Sequence, residues 1–253
     1  MPGKNKLTKE NPFATNREAE AVEDYQRIFE SSEDDTKTKL RHFPKYVRRQ
    51  DMTKFLARYE IFKRVLNVKG SIIECGVFKG FGMFSWGHFS EILEPNNLTR
   101  RIYGFDTFEG FPTISEQDKT SLGTPEKGDL ASHALEELED LKGAFDKNRF
   151  LGHMEKMRFV PGKAEESIPK FLEENPHTVV SLLFMDFDLY EPTKVALEHF
   201  VPRMPKGSVI AFDELDNPLW PGETLALLDS IGINNLRLER CDFDPYVGFA
   251  VID

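Results

Sequence analysis

Apolar and polar positions alternate in blocks from residue 52 to residue 253, and the blocks predict strands and helices in turn. Short runs rich in β-branched and aromatic residues are typical of buried strands, and apolar positions three or four residues apart are typical of helices. The predicted strands are Ser71–Glu74, Arg101–Phe105, Met157–Pro161, Val179–Asp186 and Ser208–Asp213, and the predicted helices are Met52–Val68, Gly80–Leu93, Ala131–Phe145, Ala164–Glu174, Tyr190–Val201 and Gly222–Ser230. This alternation predicts right-handed crossovers and a parallel sheet covered by helices on both faces.

The last two strand-like runs break the alternation. Leu236–Cys241 and Tyr246–Ile252 are separated only by the four residues Asp242–Pro245. Four residues cannot hold a crossover helix, so these two strands are expected to be antiparallel neighbours. The prediction is a Rossmann-like α/β fold with a seven-stranded, mostly parallel sheet whose last strand is antiparallel.

Composition also divides the chain along its length. Residues 1–51 are polar and rich in charge, and they predict an N-terminal extension that is partly helical. Residues 52–253 form the predicted α/β domain.

Within this domain, the acidic segment Pro112–Leu130, which contains several glycines, interrupts the second crossover. Because long loops inside compact domains are usually functional, we expect the insertion 112–150 to act as a lid.

Charge and composition exclude several classes of protein. The 253 residues carry a formal net charge of -10, which argues against nucleic acid as the main partner because a phosphate backbone needs a basic face. No apolar run approaches the ~20 residues of a membrane span, and no apolar stretch typical of a secretory signal follows the basic start. Cys75 and Cys241 fall in apolar strand patterns, which favours buried, reduced thiols and a cytoplasmic protein.

A cofactor site is indicated where the first two predicted strands end. The first strand runs into Glu74, Gly76 and Gly80, with the spacing Glu-x-Gly-x-x-x-Gly, and the second strand ends in Asp106. Glycines let the backbone approach a ligand, and an acid after the second strand can bind both ribose hydroxyls of a nucleoside. A pyrophosphate favours successive glycine amides, whereas a cationic methionine favours an acid at this place. The pattern therefore predicts S-adenosylmethionine rather than NAD.

Acidic residues follow the fourth and fifth predicted strands. Asp186 and Asp188 come after the fourth, and Asp213 and Glu214 come after the fifth. Both groups are expected at the carboxyl edge of the sheet, where ligands bind in such folds. Converging carboxylates repel one another, and their hard oxygens suit Mg²⁺, which could hold an acceptor hydroxyl while a carboxylate removes its proton. Alternatively these acids only cap helices, with Asp188 capping the helix that begins at Tyr190.

Four sequence blocks, in order, resemble the macrocin O-methyltransferase family over roughly residues 52–253. The blocks are Glu74–Gly80, Gly104–Pro112, Asp186–Glu191 and Trp220–Thr224. Members of that family have the class I methyltransferase fold, depend on Mg²⁺, use S-adenosylmethionine and methylate sugar hydroxyls. The resemblance implies a small-molecule acceptor that is a sugar, a nucleotide sugar or a glycosylated metabolite, as in natural-product or polysaccharide biosynthesis. We also expect a homo-oligomer.

The resemblance further implies roles for individual residues. The cofactor set comprises Glu74, Gly76, Phe78 and Gly80 at the methionine end, Asp106 with Thr107 and Phe108 at the ribose, and Gly162, Lys163 and Ala164 near the adenine. The metal set comprises Asp186, Asp213 and Glu214, where Glu214 departs from the family's usual aspartate. Asp186 is our first choice for the base, and Asp188 competes with it for that position and for the metal.

Two other functions remain open at this point. A metal between acids of the fourth and fifth strands would also suit the vicinal diol of a catechol. A cofactor-binding scaffold without catalysis is the third hypothesis, although passive binding would not require the acidic cluster. The block Trp220–Thr224 either lies beside the acceptor pocket or simply begins a helix.

Overall fold

A computed structural model of the chain describes residues 15–242 and 244–253. The chain divides into two compact units, and the boundary along the sequence lies between Leu56 and Ala57, inside the third helix. Residues 1–14 of the predicted N-terminal extension lie outside the described residues.

The first unit contains helices α1 (Asn16–Ser31) and α2 (Thr36–Arg41) and the start of α3 (Arg49–Arg64). Thr15 caps α1 in a capping box: its hydroxyl accepts the Glu18 N–H, and the Glu18 carboxylate accepts the Thr15 N–H. Asp35 caps α2 by accepting the Thr38 N–H at 2.7 Å. Such caps satisfy N–H groups that have no partner within the first turn of a helix, and they determine where both helices begin.

The second unit is built on one seven-stranded sheet with the order β3-β2-β1-β4-β5-β7-β6. The strands are β1 (Ser71–Cys75), β2 (Ile102–Asp106), β3 (Met157–Pro161), β4 (Val180–Met185), β5 (Val209–Phe212), β6 (Glu239–Arg240) and β7 (Gly248–Val251). Strands β1 to β5 pair in parallel, and β7 is antiparallel to both β5 and β6. The predicted mostly parallel sheet with a reversed last strand is thus confirmed. The strand order reverses between β1 and β4, which is the position where such sheets bind ligands.

Five helices connect the strands. They are α4 (Phe81–Leu93), α5 (Leu135–Asn148), α6 (Ala164–Glu174), α7 (Tyr190–Phe200) and α8 (Gly222–Ser230). The predicted start of α5 at Ala131 is wrong, because Leu130 and His133 have left-handed backbones, with φ of 58° and 49°, that a right-handed helix does not contain. Strand β6 is also shorter than the predicted run Leu236–Cys241.

The residues of β1 point alternately to the two faces of the sheet, and both faces are buried. Ile73 and Cys75 belong to a core that also contains Phe171 of α6 and Phe200 of α7. Glu74 points to the opposite face, where Trp86 of α4 packs. Among the described residues, no helix combines the length and apolar character needed to cross a membrane.

Candidate functional site

The ends of β1 and β4 approach each other at backbone distance. Gly76, directly after β1, has φ +99°, and a Cβ atom placed there would lie 1.9 Å from the carbonyl oxygen of Asp186. The Asp186 N–H in turn donates to the Cys75 carbonyl at 2.7 Å. Only glycine fits this position, for reasons of both space and backbone conformation. The glycine turn predicted to bind the cofactor therefore lies against the turn that carries the first acids.

Asp106 organises the glycine turn from the end of β2. One carboxylate oxygen accepts the N–H groups of Val77 and Phe78 at 2.8 and 2.7 Å, and the other accepts the Phe108 N–H at 2.7 Å. Phe78 and Phe108 both have left-handed backbones, with φ of 50° and 59°. Such conformations persist where surrounding bonds hold them. The acid predicted to bind the ribose thus also holds the two turns beside it.

The remaining predicted cofactor residues lie next to Asp106 along the same edge. The Gly162 N–H, after β3, donates to the Asp106 carbonyl at 2.9 Å. Lys163 precedes the first residue of α6, Ala164, which is buried. The hydroxyl of Thr107 donates to the Gly110 carbonyl at 2.7 Å. The structure therefore brings together the ends of β1, β2 and β3, which carry all the predicted cofactor residues.

Glu74 lies beneath this edge, with its side chain enclosed by α4. Its carboxylate accepts a hydrogen bond from the indole nitrogen of Trp86. Gly82 makes room for it, since a Cβ at Gly82 would lie 1.7 Å from the Glu74 Oε1 atom. Burial raises the pKa of Glu74 to about 8, against the opposing effects of the nearby Arg58 and of the bond from Trp86.

Arg58 is the residue of the site that sequence reasoning missed. Its guanidinium is 3.4 Å from Asp186 Oδ2 and 3.6 Å from Asp213 Oδ1, and it is only 2% exposed. It lies over the ring of Phe184 at 4.4 Å. Burial acts to lower the pKa of Arg58, but the charges of Asp213 and the other nearby acids outweigh it and raise that pKa. The available signal was an arginine three residues before the buried Ile61, within the apolar face of α3.

The turns after β4 and β5 lie side by side, and an acid of α8 bridges them. The Asp213 N–H donates to the Met185 carbonyl at 2.9 Å. Glu223, near the start of α8, accepts the N–H groups of both Asp188 and Glu214. Glu223 lies in the block Trp220–Thr224, but the sequence alone indicates no role for this residue. Burial first, and then the charges of Asp188 and other acids, raise the pKa of Glu223 well above its usual value.

Asp188 does not cap α7. The residue before the helix is Leu189, with no side-chain cap of its own. The Tyr190 N–H donates at 2.7 Å to the carboxylate of Asp118, which belongs to the predicted lid. Asp118 is 3% exposed, and its other oxygen accepts the Ser115 N–H. The capping explanation for Asp188 is therefore wrong, and the insertion is bonded to the acidic side of the site.

The described geometry does not fit a metal ion. Among residues 15–242 and 244–253, no three histidine, cysteine, aspartate or glutamate side chains converge closely enough to hold one. The chemistry of Asp186, Asp213 and Glu214 suits Mg²⁺. However, the Arg58 guanidinium contacts the first two carboxylates, and Glu214 accepts a bond from the Asn217 amide. The Mg²⁺ prediction has no support from this arrangement.

The comparisons with known proteins agree with the sequence-based resemblance. Residues 23–225 match the family described as macrocin-O-methyltransferase (TylF). A tetracenomycin-type enzyme of Streptomyces olivaceus, named 8-demethyl-8-(2,3-dimethoxy-alpha-L-rhamnosyl)-tetracenomycin-C 4'-O-methyltransferase, is 28% identical over 152 residues, which cover 58% of this chain and 53% of that protein. The demethyldecarbamoylnovobiocin O-methyltransferase of Streptomyces niveus is 26% identical over 154 residues, with the same coverage. The chain spans about half the length of these curated relatives.

A solved structure resembles the chain over nearly its whole length. The crystal structure of CalS11, a calicheamicin methyltransferase, has a TM-score of 0.91 and 32% sequence identity, and the match covers 98% of this chain and 99% of that one. An apo structure of CalS11, described as a TDP-rhamnose 3'-O-methyltransferase, has a TM-score of 0.80 at the same identity and covers 94% of this chain and 95% of that one.

Proposed function

Because the chain belongs to the macrocin O-methyltransferase family, we propose that it transfers a methyl group from S-adenosylmethionine to a sugar hydroxyl. The single observation that carries this proposal is the packing of the glycine turn at Gly76 against Asp186. This contact supports the proposal because it puts the turn that we propose for the cofactor next to the acidic residues after β4. The relatives named as methyltransferases of rhamnosyl compounds support a nucleotide sugar or a glycosylated metabolite as the acceptor.

S-adenosylmethionine lies along the ends of β1, β2 and β3 in this proposal. The methionine part contacts Gly76, Phe78 and Gly80, with Glu74 enclosed below them. Asp106, Thr107 and Phe108 are next to the ribose, and Gly162, Lys163 and Ala164 are next to the adenine. The hydrogen bonds that join these strand ends through Asp106 support the assignment.

The acceptor hydroxyl is next to the acids that follow β4 and β5. A carboxylate takes the hydroxyl proton as the oxygen attacks the methyl carbon, the bond from carbon to sulfur breaks, and S-adenosylhomocysteine leaves. Asp186 is the proposed base, because it directly ends the buried strand β4, and its side chain is more exposed than that of Asp188. Holding both reactants in line supplies much of the acceleration.

Arg58 supplies positive charge to Asp186 and Asp213 in this mechanism. A buried guanidinium offsets the repulsion between the two carboxylates. Binding of Mg²⁺, a homo-oligomer and a cytoplasmic location stay predictions from the sequence. Titration with Mn²⁺, followed by water proton relaxation, tests metal binding separately from activity.

Turnover of a panel of acceptors tests the proposed function. The panel contains TDP-linked sugars, glycosylated metabolites and catechols, each incubated with S-adenosylmethionine and analysed by mass spectrometry. We expect a gain of one methyl group on a sugar acceptor. Methylation of catechols alone would favour the catechol hypothesis, and cofactor binding without turnover of any acceptor would favour the scaffold.

A further inference from the structure

Glu223 occupies an unusual position for an acid. Its side chain is 0% exposed, and it lies at the second residue of α8. Its Oε1 atom accepts the Asp188 N–H at 3.3 Å, and its Oε2 atom accepts the Glu214 N–H at 3.2 Å. One carboxylate therefore joins the turn after β4 to the turn after β5.

Close packing at the preceding residue brings Glu223 to this place. A Cβ atom at Gly222 would lie 2.5 Å from the Tyr190 nitrogen and 2.6 Å from the Asp188 carbonyl oxygen. The start of α8 therefore rests directly on the backbone of the turn after β4. Any larger residue at position 222 would push the Glu223 carboxylate away from both N–H groups.

The backbone of Asp188, whose N–H group donates to Glu223, has an unfavourable conformation. Asp188 has φ +63°, a left-handed conformation that is unfavourable for a residue other than glycine. Burying a carboxylate among other acids is also costly unless hydrogen bonds compensate. An apolar residue would stabilise a simple packing contact at lower cost. The presence of a hydrogen-bonded carboxylate at this place therefore fits a role in the geometry of the acids around it.

We propose that Glu223 is a positioning residue that keeps the turn bearing Asp186 and Asp188 in register with the turn bearing Asp213 and Glu214. It acts through backbone N–H groups and touches neither the acceptor nor the cofactor. Its contribution to turnover rests on the proposed function, whereas its effect on the two turns does not. The proposed cofactor residues lie at or just after the ends of β1, β2 and β3, so we expect the affinity for S-adenosylmethionine not to depend on Glu223.

The test compares Glu223→Gln and Glu223→Ala with the parent and with Glu198→Gln, an exposed residue of α7. Glutamine has the same shape but only one acceptor oxygen, so it keeps at most one of the two bonds. Hydrogen exchange followed by mass spectrometry should show faster exchange in both turns of Glu223→Ala and in at least one turn of Glu223→Gln, with unchanged exchange around Asp106. Unchanged exchange at Asp188 and Glu214 would overturn the proposal, whatever the activity.

Kinetics provide the second readout, at a temperature where circular dichroism shows Glu223→Gln to be folded. We expect kcat to fall by about tenfold to a hundredfold, since small misplacements of reacting groups have effects of this size. The dissociation constant of S-adenosylmethionine, measured by calorimetry, should stay at the parent value. An unchanged kcat in the folded variant would overturn the positioning role. A parent enzyme that methylates no sugar would refute the proposed function and leave the exchange result standing.

Discussion

The N–H of Phe78 donates a 2.7 Å hydrogen bond to the carboxylate of Asp106, across the ends of two neighbouring strands. Phe78 has φ 50°, so its backbone conformation carries a cost that this bond helps to offset. Asp106, which the sequence predicts at the ribose, therefore also stabilises the glycine turn. Cofactor binding and the shape of the turn therefore depend on the same side chain.

Replacing Asp106 with alanine should weaken both properties. The change removes the acceptor of three backbone N–H groups. Bonds to a charged acceptor contribute about 1.5–3 kcal/mol each, so we expect the affinity for S-adenosylmethionine to fall by at least tenfold and the melting temperature to drop. Calorimetry and thermal unfolding measure the two effects. Glu109→Ala, at an exposed position of the same turn, is the control, and an Asp106→Ala protein that binds the cofactor like the parent would contradict the assignment.

The buried Glu74 predicts a pH dependence of stability. Burial raises the pKa of Glu74 from 4.5, the ordinary value of a glutamate, to about 8 in the folded protein. The folded protein keeps this proton while the unfolded chain loses it, so Glu74 favours folding below pH 4.5, and its contribution declines as the pH rises to 8. The loss is roughly 5 kcal/mol at most, because each tenfold change in proton affinity corresponds to about 1.4 kcal/mol.

Glu74→Gln tests this directly. Glutamine keeps the acceptor for Trp86 but does not ionise. The melting temperature of the variant relative to the parent should therefore be higher at pH 8 than at pH 5. Glu165→Gln, at an exposed position, should show no such pH-dependent difference. A constant difference between Glu74→Gln and the parent across this range would show that Glu74 is ionised in the folded protein.

Local patterns predicted the fold well, because strand and helix periodicities are properties of neighbouring residues. The contacts of the site were harder to predict from the sequence, since they join distant parts of the chain. Arg58 meets Asp186 across 128 positions, and an arginine on an apolar helix face does not reveal its partner. The orientation of Glu74 was also missed. Its position after two apolar residues indicated the end of a strand, whereas its enclosure depends on Gly82 and Trp86 of the following helix.

Arg58→Met should destabilise the protein strongly. The variant leaves Asp186 and Asp213 in a buried setting without the guanidinium. Breaking one partner of a buried ion pair costs about 3–5 kcal/mol. Urea unfolding should show this loss, and the double variant Arg58→Met with Asp213→Asn should recover part of it. Arg64 lies on the same helix as Arg58 and forms a partly exposed ion pair with Glu239 of β6, so Arg64→Met should cost less than about 1 kcal/mol. Equal losses for the two single variants would contradict the role of Arg58.

The last prediction concerns the insertion that follows β2. The Asp118 carboxylate accepts the Tyr190 N–H at the start of α7. Phe111, directly before the insertion, packs edge-on against Trp220, with ring centroids 5.8 Å apart. These contacts tie the insertion to the acidic side of the site. Asp118→Ala removes the first of them, so local opening of the segment 112–130 should become more frequent.

Limited proteolysis measures that opening. Cleavage within 112–130 should be faster in Asp118→Ala than in the parent, and Glu116→Ala, a change at an exposed position two residues earlier, should behave like the parent. Since a lid closes over bound ligands, S-adenosylmethionine and an acceptor together should slow cleavage of the parent more than of Asp118→Ala. Equal cleavage of all three proteins, with and without ligands, would mean that the bond to Tyr190 does not control the segment and that the insertion is not a lid.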